Sequence, residues 1–263
     1  MGIYAISDLH GRYDLWTLVK EYLNEEDTLY CLGDSIDRGH YGLDILLEMI
    51  NRPNTYMLMG NHEQMMVEYF EKNQKRLIPN LYYYEPYSIW FMNGGRYTFD
   101  QIEEKITREG DLLDLLDVVR DFDTDVHIKN AKGQTIILNH CGYTPGLSYE
   151  PYWDRYHLTD GWPEDMDNVY IVHGHTPVQY MSRYRANGID DYLSFKANPR
   201  VAKYAKGHKI NIDLGSVTSN KTALLNLDTL EPIYFYNEYV PDEIDKIEQE
   251  IAEEEARISG LII

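Results

Sequence analysis

Three short apolar runs near the start of the chain each end in a polar turn containing glycine, and each leads into a segment with helical periodicity. Residues 3–7 stop at Asp8-Leu9-His10-Gly11, after which Leu15, Leu18, Val19, Tyr22 and Leu23 recur at helical spacing behind a capping candidate, Asp14. Residues 28–32 end in Gly33-Asp34 and are followed by Leu43, Leu46, Leu47 and Ile50; residues 55–59 end in Gly60-Asn61-His62-Glu63 and are followed by Met65, Met66 and Tyr69. Strands that alternate with helices pair in parallel, because the chain must cross back over a face of the sheet before the next strand begins. Ligand sites of such sheets lie outside the carboxyl ends of the strands, where these polar clusters fall.

The middle of the chain reads as helical. Thr98 and Gln101 predict a capping box before Ile102 and Ile106, and a second helix is expected from 111 to 120. From Phe122 onward the pattern turns to strands, at 125–128, 135–139, 169–173, 209–213, 223–227 and 233–236, with a hairpin at Gly133. A second sheet is implied. Residues 144–165 and 177–208 are long connections rich in Pro, Gly, Asp and Tyr, a length that usually marks functional loops. The expected organisation is an α/β catalytic domain over 1–240 and an acidic amphipathic helix over 241–263, with Ile244, Ile247, Ile251 and Ile258 as a stripe for packing or for protein contact.

Composition narrows the partners. With 24 Lys+Arg against 44 Asp+Glu the formal charge is −20, which argues against binding nucleic acid or an anionic membrane, since both need a basic face. A hydrophobic content of 43% with 24 Tyr belongs to a packed globule, so the acidity is a surface property. Two cysteines, Cys31 and Cys141, make no disulfide framework, and no leader or 18-residue apolar stretch is evident, so a cytoplasmic location without a membrane span is expected.

The polar residues at the strand ends carry the chemistry. Asp8, His10, Asp34, Asn61, His140 and His175 are oxygen and imidazole donors, too many for one tetrahedral zinc but suited to two divalent ions about 3.5–4 Å apart, with Asp34 as the shared carboxylate. Arg38 can bring a planar guanidinium to phosphoryl oxygens, and His62 can protonate a leaving alkoxide. Asp37 can orient that imidazole and keep it protonated. Other residues read as structural: His173 at a strand end, Cys141 as a packed thiol, Tyr82, Tyr83, Tyr84 and Tyr87 largely as packing groups, and Asn93-Gly94-Gly95 as a tight turn. His157 reads either as a substrate contact or as a solvated loop residue.

The segments DLHG (8–11), GDSIDRG (33–39), GNHE (60–63), NHCG around His140 and GHT (174–176), all in order, resemble the signature of the phosphoprotein phosphatase family of calcineurin-like metallophosphoesterases. GNHEQMM, WFMNGG (90–95), YWDR (152–155) and NIDLGS (211–216) extend the resemblance to its compact bacterial and phage members, the lambda-phosphatase-like branch, over roughly residues 2–237. The resemblance implies a four-layer fold of two central sheets flanked by helices. It also implies a first metal held by Asp8, His10 and Asp34, and a second held by Asp34, Asn61, His140 and His175. Manganese is the expected metal, with iron or zinc as alternatives. The family mechanism is direct attack on phosphorus by a metal-bridging hydroxide, with Arg38 and Arg155 on the phosphoryl oxygens and His62, partnered by Asp37, as general acid. The implied activity is hydrolysis of phosphomonoesters, on a phosphoprotein or a small phosphoester, as a serine/threonine or dual-specificity phosphatase. The alternative is a hydrolase of dinucleoside polyphosphates such as diadenosine tetraphosphate. Relatives of that second kind carry Ala and Asp where this chain has Asp37 and Glu63, and a residue other than Thr176 after the last Gly-His.

Overall fold

The computed structural model describes residues 1–73, 88–147, 150–189 and 192–237. Tyr82 to Tyr84, Tyr87 and the acidic helix expected over 241–263 lie outside the described residues. The three opening units form as expected: β1 (Ile3–Ile6), α1 (Tyr13–Tyr22), β2 (Thr28–Cys31), α2 (Gly42–Asn51), β3 (Thr55–Met57) and α3 (Asn61–Asn73). β1 pairs in parallel with β2, and β2 with β3.

The helices α4 (Ile89–Met92), α5 (Arg96–Lys105) and α6 (Glu109–Arg120) precede the second sheet. That sheet contains β4 (Asp125–Lys129), β5 (Thr135–Asn139), β6 (Val169–His173), β7 (Ala202–Tyr204) and β8 (Lys209–Asn211), in the order β4-β5-β6-β8-β7. Its central strands β5, β6 and β8 are parallel. The short helices α7 (Tyr192–Ala197) and α8 (Ser216–Ser219) flank β7 and β8, and the chain then returns to the first sheet as β9 (Lys221–Asn226) and β10 (Glu231–Tyr236), giving β10-β9-β1-β2-β3. Each sheet is therefore mixed, with a parallel trio of strands that runs to one edge of the first sheet and lies at the centre of the second.

Side-chain alternation turns the two sheets into four layers. Tyr4, Ile6, Leu29, Cys31 and Met57 face a core shared with the helices, including Trp16, Leu46, Met66, Trp90, Phe99 and Leu116. Their neighbours Ala5, Leu32 and Leu58 face the other way, against Ile136, Leu138, Val172 and Ile210 of the second sheet. Ile137 and Ile171 point outward again, under Leu158, Trp162, Val178, Met181 and Phe195. The layers are helices, sheet, sheet, and an outer cover of loops with 3-10 turns at Tyr156–Thr159 and Val178–Tyr184. This is the two-sheet α/β fold read from the sequence. Among the described residues no helix is long and apolar enough to cross a membrane.

Two expected caps are not caps. Asp14 lies inside the first turn of α1 and pairs with Arg12, the residue at the N-cap. Thr98 and Gln101 lie inside α5, which starts at Arg96; their side chains accept from the backbone N–H groups of Asp37 and Leu43, at 2.9 Å each. Both contacts cross the chain by more than fifty residues, which a local capping pattern cannot anticipate.

The outer cover is fastened by Lys209, fully buried at the start of β8. Its Nζ donates to Thr144 Oγ1 at 2.7 Å and to the His157 carbonyl at 2.6 Å. Burial pushes its pKa down to about 8, whereas an unfolded lysine holds its proton to about 10.4. Between those values the unfolded chain binds more protons than the folded one, so this group makes stability rise with pH. Denaturant unfolding of the protein and its Lys209→Met variant should show the difference shifting in favour of the native residue by up to about 1.4 kcal/mol per pH unit across that window. A difference that does not change with pH would contradict this account.

Candidate active site

The parallel strands of both sheets deliver polar residues to one place. Asp8 and His10 follow β1, Asp34 follows β2, Asn61 follows β3, His140 follows β5 and His175 follows β6. The two sheets meet here: the His175 N–H donates to Asp8 Oδ2 at 3.0 Å, and His140 Nδ1–H donates to the Leu32 carbonyl at 2.7 Å. All six residues are buried. The turns that aim them are sharp, since Asp8, His10, Asp34 and His175 all have left-handed φ, between 47° and 67°. L-residues resist that region, and such outliers collect where function requires a side chain to be held against its backbone preference. Two glycines are required by close approach: a methyl group on Gly60 would overlap Asp34, and one on Gly174 would overlap the Asp8 carboxylate and Ser7.

Asp34 divides its oxygens between two groups of donors. Oδ2 lies 3.6 Å from His10 Nε2, which is 3.9 Å from Asp8 Oδ1. Oδ1 lies 3.5 Å from His140 Nε2, which is 3.0 Å from Asn61 Oδ1; His175 Nδ1 is 2.9 Å from that same amide oxygen. The tautomers are set from behind, because carbonyls can only accept: Ile36 takes the Nδ1 proton of His10 and Leu32 that of His140, which leaves both Nε2 lone pairs facing inward. Asp34, His140 and His175 thus converge as one trio, and His10, Asp34 and His62 as another, with ligating atoms within 4.8 Å of one another in each.

The electrostatics call for cations. Burial, together with the charges of Asp8 and Glu63, holds the Asp34 carboxyl well above its usual pKa, and burial raises Asp8 as well. Burial also holds His10 and His175 well below the usual imidazole value, so they stay neutral. Nε2 of His175 is buried without a protein partner. Two crowded carboxylates, neutral imidazoles and no thiolate fit a pair of divalent ions with oxygen and nitrogen ligands.

Beside this cluster His62 Nδ1–H donates to Asp37 Oδ2 at 2.7 Å. Arg38 spans the two nearest rings, donating to His62 Nε2 at 2.9 Å and to His10 Nε2 at 2.8 Å. The expectation that Asp37 keeps His62 protonated needs correction. Burial and the Arg38 guanidinium hold the imidazole well below its usual pKa, because Nε2 cannot accept from arginine and carry a proton at once. Burial pushes Asp37 itself up to about 7.

The sequence profile of the calcineurin-like phosphoesterases matches residues 1–179, more than half of the chain. The chain belongs to the calcineurin-like phosphoesterase family. It is 30% identical over 151 residues to serine/threonine-protein phosphatase 2 of Salmonella typhimurium, covering 56% of this chain and 61% of that protein. It is 32% identical over 88 residues to the symmetrical bis(5'-nucleosyl)-tetraphosphatase of Xanthomonas axonopodis, covering 31% and 28% of the two. The chain thus spans less than two thirds of the length of these curated relatives. Its fold is similar to that of a cold-active protein-tyrosine phosphatase from a psychrophilic Shewanella, with a TM-score of 0.54, 18% identity, and 89% and 77% of the two chains covered.

Calcineurin-like phosphoesterases bind a dinuclear metal site, and the residues that hold this one in shape were mostly not singled out from the sequence. Glu63 is fully buried, and its carboxylate accepts from the backbone N–H groups of Asp34 and Ser35 and from the Ser35 hydroxyl, at 2.8 to 2.9 Å. Ser216 Oγ donates to the Asp8 carbonyl at 2.6 Å, and Arg12 donates to the Ser216 carbonyl at 2.8 Å. Asp213, following β8, is a further buried carboxyl, whose pKa is raised well above the ordinary range by burial and by Asp8. The available signal was an acid close behind a strand: Glu63 in the first turn of α3 and Asp213 two residues past β8.

Arg155 is half-buried on the loop over His175 and pairs with no carboxylate among the described residues; its guanidinium lies 5.6 Å from the centre of the Tyr184 ring. Trp153 on the same loop donates to Gln64 Oε1 at 3.2 Å and packs edge-on to His175. His157 is buried at 3% exposure, edge-on to His173, and so is not the solvated residue that was one of its two readings. His173 donates to the Gly174 carbonyl and accepts from the Tyr204 hydroxyl, a structural part. The Cys141 thiol donates to the Pro151 carbonyl at 3.0 Å, and burial pushes its pKa up, as for a packed thiol.

Glu63 supplies a test of the support around Asp34. Glu63→Gln turns one acceptor into a donor that faces N–H groups, with an expected loss of about 1–3 kcal/mol in stability. Manganese affinity, measured by calorimetric titration of the folded variant, should fall on the order of 10- to 100-fold. Unchanged affinity would show that Asp34 does not depend on this anchor.

Proposed function

We propose that the chain is a metal-dependent phosphoprotein phosphatase that hydrolyses phosphomonoesters of serine and threonine, with phosphotyrosine turnover as the wider form of the same activity. The observation that carries this reading is the divided Asp34 carboxylate with Arg38, His62 and Asp37 beside it. Asp8, His10 and Asp34 would hold one divalent ion, and Asp34, Asn61, His140 and His175 the other. Manganese is the favoured metal, with iron or zinc as alternatives, because the donors are oxygen and imidazole throughout. Such a pair, when bound, supplies a nucleophilic water near neutral pH and stabilises charge on the phosphoryl group.

The chain's own residues account for the rest. Arg38 and Arg155 bind phosphoryl oxygens, for which a planar guanidinium is well shaped. Arg38 and a proton compete for the Nε2 lone pair of His62. A phosphoryl group that draws the guanidinium away leaves Nε2 free to take up a proton and pass it to the leaving oxygen, while Asp37 holds Nδ1–H and stabilises the imidazolium.

A second reading, hydrolysis of dinucleoside polyphosphates, is favoured by the 32% identity to the Xanthomonas tetraphosphatase. The assembled His62–Asp37 pair weighs toward the first. A serine alkoxide is a much stronger base than a nucleotide phosphate oxygen, so a proton donor matters more for the monoester. The formal charge of −20 weighs against nucleic acid as a partner. We place the protein in the cytoplasm, where the buried free thiols of Cys31 and Cys141 fit a reducing milieu, and read the isoleucine stripe of 241–263 as a face for packing on the domain or, as the second reading, for a protein contact.

Chelator-stripped protein should be inactive on p-nitrophenyl phosphate and recover with added manganese, and Asp34→Asn should lower kcat/KM by about 100-fold or more. Undiminished hydrolysis in that variant would rule out the dimetal reading. Faster turnover of diadenosine tetraphosphate than of phosphoserine peptides, measured side by side, would favour the second reading over the first.

A further inference from the structure

Trp90 is fully buried in an aromatic cluster with Tyr69, Phe70, Phe91 and Phe99, where packing alone would account for it. Its Nε1–H, however, donates to Asp37 Oδ2 at 2.8 Å, the oxygen that also accepts from His62 Nδ1. The other oxygen, Asp37 Oδ1, is buried with no partner. Both donors therefore bind one edge of the carboxylate, and they define which way it faces. The same short turn reaches the next residue as well. The Gly94 carbonyl accepts from the Arg38 N–H at 2.9 Å, and Gly94, at φ +95°, lies so close that a methyl there would stand 2.8 Å from Arg38 Cγ. Asp37 and Arg38 both have left-handed φ, 69° and 66°, and the turn at 90–95 holds both of them through Trp90 and Gly94.

We propose that Trp90 is a positioning residue for the proton donor: its indole N–H fixes the Asp37 carboxylate, which fixes the His62 ring with Nε2 aimed at the leaving oxygen. This inference rests on the phosphatase reading above. As a water oxygen bonds to phosphorus and the P–O bond to the serine breaks, that bond's electron pair stays on the leaving oxygen, which takes the proton that His62 Nε2 acquired when Arg38 moved to the phosphoryl group; His62 is left neutral, and Nε2 is free for Arg38 again once phosphate departs. Without the indole N–H the carboxylate can turn about χ2 and present its other oxygen, and His62 follows it out of line. The loss is selective. An alkoxide leaves slowly without a proton, whereas 2,4-dinitrophenolate is stable as the anion and leaves without one.

The test uses the full-length, manganese-loaded protein. Trp90→Phe should lower kcat on a phosphoserine peptide by about 10-fold or more with KM little changed, and should alter kcat on 2,4-dinitrophenyl phosphate by less than about twofold. Should the smaller ring unfold the core, a benzothienylalanine at position 90, which keeps the indole's shape with sulfur in place of N–H, should give the same split between substrates. In a His62→Asn background the change at Trp90 should add no further loss on the peptide. Equal losses on both substrates, full activity on both, or an additive loss in the His62→Asn background would overturn the proposal while leaving the phosphatase reading intact. Native protein inert toward both substrates would overturn that reading and the proposal with it.

Discussion

The structure turns on one buried carboxylate. Asp34 sits at the end of β2 with one oxygen toward His10 and the other toward His140, and its backbone N–H is tied to Glu63. A carboxylate so placed, close to Asp8 and to Glu63, is unfavourable by itself, because burial removes water and like charges add repulsion. Divalent cations offset that penalty, which makes metal binding and the stability of this region linked quantities. The left-handed backbone at Asp8, His10, Asp34 and His175 adds strain of about 1–3 kcal/mol per residue, sustained by the packed sheets behind it.

Neither sheet can build the site alone. The first sheet supplies Asp8, His10, Asp34 and Asn61, and the second supplies His140 and His175; the apolar layer between Ala5, Leu32 and Leu58 on one side and Ile136, Leu138 and Val172 on the other sets their separation. The His140 bond to Leu32 and the His175 bond to Asp8 cross that junction and fix its register. Small shifts of one sheet against the other therefore act directly on the distance between the two donor trios.

What was legible in the sequence was local. A strand ending in Gly-Asp or Gly-Asn before a helix announces both its fold and its polar tip, and β5 and β6 run over 135–139 and 169–173 as periodicity predicts. Thr98 and Gln101 carried a capping pattern, yet buried N–H groups of Asp37 and Leu43 claim them from across the fold. The three-residue β7 and the 3-10 turn at Val178–Tyr184 leave too short a period to read within a long connection. The protonation of His62 depends on where Arg38 reaches, which no spacing reveals.

On the proposed reading, the loop at 33–39 would carry a metal ligand, a proton-donor partner and an anion clamp within five residues, Asp34, Asp37 and Arg38. Tasks so close in sequence would interfere if the loop were free, since a shift that suits a cation would misplace the proton donor. The two halves of the loop are held by different supports. Glu63 holds Asp34 and Ser35 from α3, and the segment at 90–98 holds Asp37 and Arg38 through Trp90, Gly94 and Thr98. If those roles hold, the Asp34 half would adjust to metal while the Asp37 half keeps the His62 ring in line, so the two halves would answer to different supports although Asp34 and Asp37 are only three residues apart.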